Sequence, residues 1–436
     1  MALGGGTFVT QNKVLPGAYI NFVSLASASA TLSDRGTVTM PLMLDWGNES
    51  GVFEVTNGDF QKSTMKLFGY AYTDDKMKGL RDLFKNAKTL YAYRLNGGGK
   101  KASNTFATAK YSGTRGNDLK IVIQKNADND SLFDVSTYME LSKVDVQTVD
   151  KASALTDNDY VSFKKEAVLT VTASTPLTGG ENGAGTSDAY QTYLDKIEPY
   201  AFNSMGVVTT DKATKSLFAS FCKRMRDEVG KKFQLVLYNY KEADYMGTIS
   251  VKNKVLDDGA DEASLVYWVT GAAGGCEVNK SNQNKIYDGE FTPDLNYTQS
   301  ELEKAIKAGE FTFHNVNGTP RVLDDINTMV STTDTCGDIF KDNQTVRVID
   351  QIANDTAVLF ATKYLGAVPN DAAGRTSFWA DLVKLHNELQ KIRAIEDFKD
   401  SDITVAQGDT KKSVVVSGAI SVINAMGKLY MSVCVS

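Results

Sequence analysis

Two glycine-rich breaks, "NGGGKK" (96–101) and "TGGENGAGTS" (178–187), bracket a stretch in which the helical hydrophobic period disappears. Between them lie the strand-like runs "TFATAKYS", "DLKIVIQK", "LFDVSTYM", "KVDVQTV" and "EAVLTVTA", parted by Gly, Asn and Asp turns. Short strands at spacings of about ten residues or more predict a compact β-sandwich or barrel. On both sides of the breaks helices and strands alternate, which predicts a sheet covered by helices. The fold class is therefore multidomain α/β (α+β), an inner α/β body carrying an inserted all-β domain.

At 436 residues the chain has room for about three folded units of ordinary size, each with its own core. In the body, the pattern from Thr64 to Asn86 is helical, with Leu67, Phe68, Leu80, Leu83 and Phe84 apolar, and "TLYAYRL" (89–95) follows as a strand. After the second break, "TTDKATKSLFASFCKRMRDEVG" (209–230) places Phe218, Phe221, Cys222, Met225 and Val229 on one stripe, opens with a Thr/Asp cap and ends on Gly230. "KFQLVLYN" is a strand too apolar for an exposed edge, "GTISVKN" is another, and "EFTFHNV" (310–316) is a strand or hairpin arm. "ASLVYWVTGAA" and "TQSELEKAIKAG" are helical. Residues 324–399 are expected to be mostly helix, with Phe378, Leu382, Leu385, Leu389, Ile392 and Ile395 buried and Lys384, Lys391 and Arg393 off that stripe. "DITVAQ" and "KSVVVSG" return to strand. The expected segments are an arm at 1–30, body at 31–95, β-domain at 96–187, body at 188–325, a mainly helical region at 326–410, and strands with a second arm at 411–436.

The residues offer little material for bond chemistry. Two histidines, His314 and His386, cannot furnish a multi-histidine metal site, and both fall where structural roles are expected. Four scattered cysteines, Cys222, Cys276, Cys336 and Cys434, form no C-x-x-C pair and point to reduced thiols. "NGGGKKAS" lacks phosphate-loop spacing, and "TGAAGGCE" (270–277) follows a helical run and contains no G-x-G-x-x-G. "LDDGADE" and "DNDSLFD" lack EF-hand spacing and mark solvated turns. No catalytic, cofactor or metal residue is therefore named. A net charge of −6 with both signs interspersed disfavours nucleic acid. No apolar run is long enough for a bilayer crossing, and the first residues do not resemble a secretory signal, so folding in a cytoplasm is expected.

Both ends of the chain carry strand patterns. Near the start, Ala18, Ile20 and Phe22 alternate with Tyr19, Asn21 and Val23; at the end, Leu429, Met431, Val433 and Val435 alternate with Tyr430, Ser432 and Cys434. Each run could pair within its own subunit or add to a neighbour's sheet. Ordering about eight residues costs roughly 8–16 kcal/mol. About six backbone hydrogen bonds at ~1 kcal/mol each, with four buried apolar side chains at ~1.5–3 each, offset that sum. One arm alone is marginal, whereas in a polymer the high effective concentration makes the same strand hold.

"KVLPGAYINFVS" (13–24), "YSGTRGNDLKIVI" (111–123), "FCKRMRDEVGKKFQLVLYN" followed by "ADYMGTISVKN" (221–253), and "VINAMGKLYMSVCV" (422–435) together resemble tail sheath proteins of contractile bacteriophages, defective prophages and phage-tail-like bacteriocins of Gram-positive bacteria. The resemblance covers nearly the full length and departs at "VLPGAY", where the family often has an Arg-Pro-Gly-Val-Tyr-like run. It implies a subunit that polymerises as stacked hexameric rings around a tail tube and contracts from a metastable extended state. It implies as partners other copies of the chain, the tube protein, and baseplate and tail terminator proteins. It makes Ala18–Val23 and Leu429–Val435 inter-subunit arms, and "KKSVVVSG" (411–418) part of the inner α/β domain that receives or precedes an arm. Lys384, Lys391 and Arg393 are the expected tube-facing set. A tail-tube or baseplate structural protein is the alternative, sharing the absence of chemistry but lacking paired arms with an inserted β-domain.

Overall fold

The computed structural model describes residues 32–435. They divide into two compact units, one comprising 34–351 with 422–435 and the other comprising 352–421 with 32–33.

The larger unit opens with β1 (Thr37–Leu42), β2 (Val52–Thr56), α1 (Asn57–Phe68), α2 (Lys78–Phe84) and β3 (Thr89–Arg94). The single helix expected over Thr64–Asn86 is two. A Thr56–Asp59 capping box starts α1, and Gly69, in the left-handed region at φ 79°, ends it. A Cβ at Gly69 would lie 2.8 Å from Trp46 Cβ, so the stop is built into packing as well as backbone. Asp74 then caps a short turn that leads into α2.

Next come β4 (Ala107–Ala109), β5 (Leu119–Lys125), β6 (Phe133–Met139), β7 (Ser142–Val149), β8 (Val161–Phe163) and β9 (Thr172–Pro176). They form an antiparallel sheet in the order β7-β6-β5-β9 and a two-stranded sheet β4-β8. The core between them holds Leu119, Ile121, Ile123, Val135 and Phe163, and into it the body inserts Trp46. The indole meets Tyr111 edge-on at 5.2 Å and stacks over Tyr160 at 6.4 Å. The two glycine-rich breaks run side by side, with Lys100 and Glu181 exchanging backbone bonds of 2.9 and 3.0 Å and Gly183 N donating to Asn96 O. Arg115 of "YSGTRGN" reaches from the β-domain to Gly69 O at 2.7 Å, and Arg94 at the end of β3 donates to Ser112 O at 2.9 Å. The insertion is thus fixed to the body by one shared aromatic core and two guanidinium bridges.

The body resumes with α3 (Ser187–Ile197), β10 (Ser204–Gly206), α4 (Lys212–Arg224), β11 (Gln234–Tyr238), β12 (Thr248–Val251), α5 (Leu265–Gly275), α6 (Gln299–Lys307), β13 (Glu310–Phe311) and the hairpin β14 (Phe313–Val316) and β15 (Thr319–Val322). Seven strands form one sheet in the order β13-β12-β11-β10-β1-β3-β2, parallel except for β2. The inserted domain therefore interrupts a single sheet. Along β11, Leu235 and Leu237 face a core with Tyr193, Leu194, Phe218 and Phe221 of α3 and α4, while Val236 and Tyr238 join Leu83, Trp268 and Ala272 on the other side. Burial on both faces is why "QLVLY" shows no polar alternation. The glycines of "TGAAGG" serve packing: a Cβ at Gly271 would fall 2.3 Å from Leu83 O, and one at Gly275 2.0 Å from Asn86 O. They let α5 lie directly on α2.

Residues 324–342, expected to be helical, are mainly irregular, with a tight turn closed by backbone bonds between Thr333 and Cys336 and a second short turn at Asp338–Lys341. The polar, glycine-containing run "STTDTCGD" favours turns there. Helix α7 (Asn343–Leu359) follows, and its first half belongs to the larger unit. Arg226, just beyond α4, meets Asp350 in a two-pronged pair of 2.6 and 2.7 Å, and Arg347 meets Asp325 at 2.6 Å.

In the smaller unit, Asp371 caps α8 (Ala372–Lys391), which is followed by β16 (Ile395–Glu396), β17 (Ile403–Gln407) and β18 (Val414–Gly418). The stripe Phe378, Leu382, Leu385, Leu389 and Ile395 is buried, and Ile392 is half-buried. Strand β17 pairs antiparallel with β18, and Trp379 Nε1 donates to Ile403 O at 3.0 Å. Asp350→Ala should lower the unfolding free energy by ~3–5 kcal/mol by leaving Arg226 buried and unpaired, whereas Arg226→Met with Asp350→Leu should recover most of it. Urea denaturation of both variants checks this.

Candidate assembly surfaces

The last described residues run from the body into open solvent. Gln344 and Thr345, in the first turn of α7, are buried, and they hold Ile423, Asn424 and Ala425 through side-chain hydrogen bonds of 3.0–3.2 Å. Beyond them, Leu429–Val435 joins no sheet among the described residues. Leu429, Tyr430, Met431, Val433 and Val435 are 70–92% exposed, and Ser432 and Cys434 are exposed as well. The expected half-buried strand is therefore not formed among the described residues. Alternation sets which face would be covered, but a strand forms only where a partner supplies hydrogen bonds. Ala18, Tyr19, Ile20, Asn21, Phe22 and Val23 lie outside the described residues.

The "KKSVVVSG" segment supplies β18, which among the described residues pairs with β17 and is not a strand of the seven-stranded sheet. This corrects its expected place in the inner α/β domain, because the hairpin belongs to the smaller unit. Val415 and Val416 of β18 are about half exposed, at 50% and 42%. An apolar edge of this kind is a template for another strand.

Lys384 and Lys391 are exposed on α8, and Arg393 is exposed just after it, at φ 61°. A separation of seven residues puts the two lysines on the same side, roughly 10 Å apart along the axis. Lys391 lies 3.8 Å from Glu388, a contact of little energetic weight at that exposure. His386 Nδ1 is 2.8 Å from Leu382 O, and its ring stacks on Phe398 at 5.1 Å. Burial pushes the pKa of His386 down, as it does for His314, where Arg321 adds to the effect. Among the described residues no group of three or more His, Cys, Asp or Glu side chains is placed to hold a metal ion, and no helix is long and apolar enough to cross a membrane.

Periodicity did not single out Gln344, Thr345 or the buried ion pairs. One signal was present: Arg226 is four residues after Cys222, on the apolar stripe of its helix, where a charge needs a partner. Burial alone would lower the pKa of Arg226, but the charge and hydrogen bonds of Asp350 outweigh it and raise it. In α7, residues 343–348 are all buried, so no stripe marks their roles.

Four family descriptions match consecutive stretches of the chain: tail sheath protein Gp18 domain III N-terminal region over 35–95, phage tail sheath beta-sandwich domain over 96–182, central domain over 183–328 and C-terminal domain over 336–436. The phage-like element PBSX protein XkdK of Bacillus subtilis is 32% identical over 99% of both chains. The chain belongs to the phage tail sheath proteins. A crystal structure of a sheath tail protein from Desulfitobacterium hafniense superposes with a TM-score of 0.82 at 38% identity, covering 94% of this chain and 97% of that one. The anti-feeding prophage helical sheath in its contracted state shares the fold, with a TM-score of 0.58 at 10% identity over 97% and 99% of the two chains. As a tail sheath protein the chain is a structural component of a phage tail or tail-like particle and not an enzyme.

Asp342 caps α7, accepting from Thr345 N at 3.0 Å, and burial pushes its carboxyl up to about 6 from 3.8. A carboxyl with a raised folded pKa contributes stability that is complete below the unfolded value and is lost as pH rises through the folded one. Asp342→Asn, which keeps the accepting oxygen, should be more stable than the parent at pH 7. The difference should shrink as pH falls from about 6 towards 4, measured by urea unfolding across that range.

Proposed function

We propose that this sheath protein polymerises as stacked hexameric rings around a tail tube and contracts from a metastable extended lattice, driving the tube through a cell envelope. The observation that carries this reading is the row of exposed apolar side chains on Leu429–Val435, a segment with strand alternation and no sheet partner among the described residues. In the polymer it adds to a sheet of a neighbouring copy, and the apolar outer edge of β18 is a suitable acceptor. Ala18–Val23 forms the second arm. Other tail parts, the tube, baseplate and terminator, complete the particle, which is assembled in a bacterial cytoplasm.

Contraction in this reading relocates nearly rigid subunits between two packing arrangements. The shared core around Trp46 supports it, because the inserted domain is fixed to the body and travels with it. A release of a few kcal/mol per subunit, the size of one or two buried apolar side chains, is sufficient when many copies act in series. Lys384, Lys391 and Arg393 face the tube in this arrangement.

Deleting residues 429–436 should leave a folded, soluble protein that forms no cylinders by electron microscopy; cylinders from the truncated chain would sink the arm reading. Reversing the charge of Lys384, Lys391 and Arg393 together should reduce co-assembly with the tube protein in a sedimentation assay, and unchanged co-assembly would remove them from the tube-facing set.

A further inference from the structure

We infer that Gln344 and Thr345 are positioning residues for the C-terminal arm, clamping its root to the larger unit so that the free segment begins beyond Ala425. This rests on the reading of Leu429–Val435 as an arm. The Gln344 side-chain amide donates from Nε2 to Ile423 O at 3.0 Å and accepts at Oε1 from Ala425 N at 3.0 Å. A donor offered to the carbonyl of one residue and an acceptor offered to the N–H two residues on is the pair of contacts a neighbouring β-strand supplies. One buried side chain thus stands in for a strand at the point where the chain leaves the body. Beside it, the Asn424 amide and the Thr345 hydroxyl meet at 3.2 Å. A Cβ at Gly427 would come within 3.0 Å of the Gln283 amide, so the chain still runs close along the body there.

The clamp is itself immobilised. Asn343, next to Gln344, receives Gln234 Nε2 at 2.8 Å and donates to Asp325 Oδ1 at 3.0 Å. Arg347 and Asp350, further along the same helix, are held by Asp325 and Arg226. The residues that grip the root therefore belong to the larger unit, although the chain reaches the root directly from the smaller one, 352–421. The arm is carried by the larger unit. Its direction of departure is set at Ala425, and the seven residues from Leu429 to Val435 span roughly 23 Å when extended.

The test uses the full-length protein with Gln344→Met, which keeps the shape and removes both bonds, and Asn424→Ala, which trims an exposed side chain. Amide hydrogen exchange should show Ala425 protected in the parent and exchanging at least tenfold faster in Gln344→Met, with the α7 amides unchanged. The critical concentration for cylinder formation should rise severalfold in both variants. Gln344→Glu, which keeps only the acceptor, should fall between Gln344→Met and the parent. Ala425 exchanging at the free-peptide rate in the parent would overturn the clamp, and so would variant cylinders with unchanged critical concentration when deletion of 429–436 abolishes assembly. If the deletion leaves assembly intact, the arm reading fails instead, and exchange at Ala425 still decides whether the clamp exists.

Discussion

Buried charge organises the larger unit. Arg226 is 2% exposed, and its only anionic partner among the described residues, Asp350, is nearly as enclosed. Taking both out of water is costly, and the attraction between them offsets that cost only in one tight geometry. Hydrophobic contacts would tolerate α7 sliding by a fraction of a turn; the two-pronged pair does not. Arg226 also donates to Phe233 O, just before β11, so one guanidinium ties the end of α4, the entry to a central strand and α7 together. Arg347 and Asp325 repeat the device about one turn earlier in α7. The first turn of the helix, which grips the root of the C-terminal segment, takes its position from these two pairs.

Much of the architecture was legible from hydrophobic period. The inserted β-domain, α4, α5, α6, α8, β3, β11, β12, β17 and β18 follow patterns whose physical cause is burial on one face or two. Other elements escaped for identifiable reasons. Strand β10 is only Ser204–Gly206, too short to show a period, and it exists because β1 and β11 flank it. The break between α1 and α2 depends on Gly69 meeting Trp46, a contact across 23 positions that local pattern does not reveal. Along Leu429–Val435 the alternation was legible, but burial of one face was not, since none of the described residues covers it. Lys384 and Lys391 are exposed off the apolar stripe of α8, as its period predicts, and Arg393 is exposed just after the helix.

The two glycine-rich breaks at the borders of the insertion form a closed joint. Their backbones bond to each other, and Arg94 and Arg115 span the seam with carbonyl contacts that would be lost on any hinge motion. A small opening that pulls a buried guanidinium off its carbonyl partners without admitting water leaves both groups unsatisfied, which raises the cost of such motion. The proposed contraction would need this stiffness, because any give at the seam would absorb displacement meant for the lattice.

Trp46 carries a practical consequence. The indole is the property of the body by sequence and of the β-domain by location, so neither part has a complete interior without the other. Cutting the gene at the two glycine-rich borders would yield a β-fragment with an indole-sized hole beneath Tyr111 and Tyr160, and a body with a bare tryptophan on its surface. Anyone wishing to transplant the insertion between relatives would have to move residue 46 along with it.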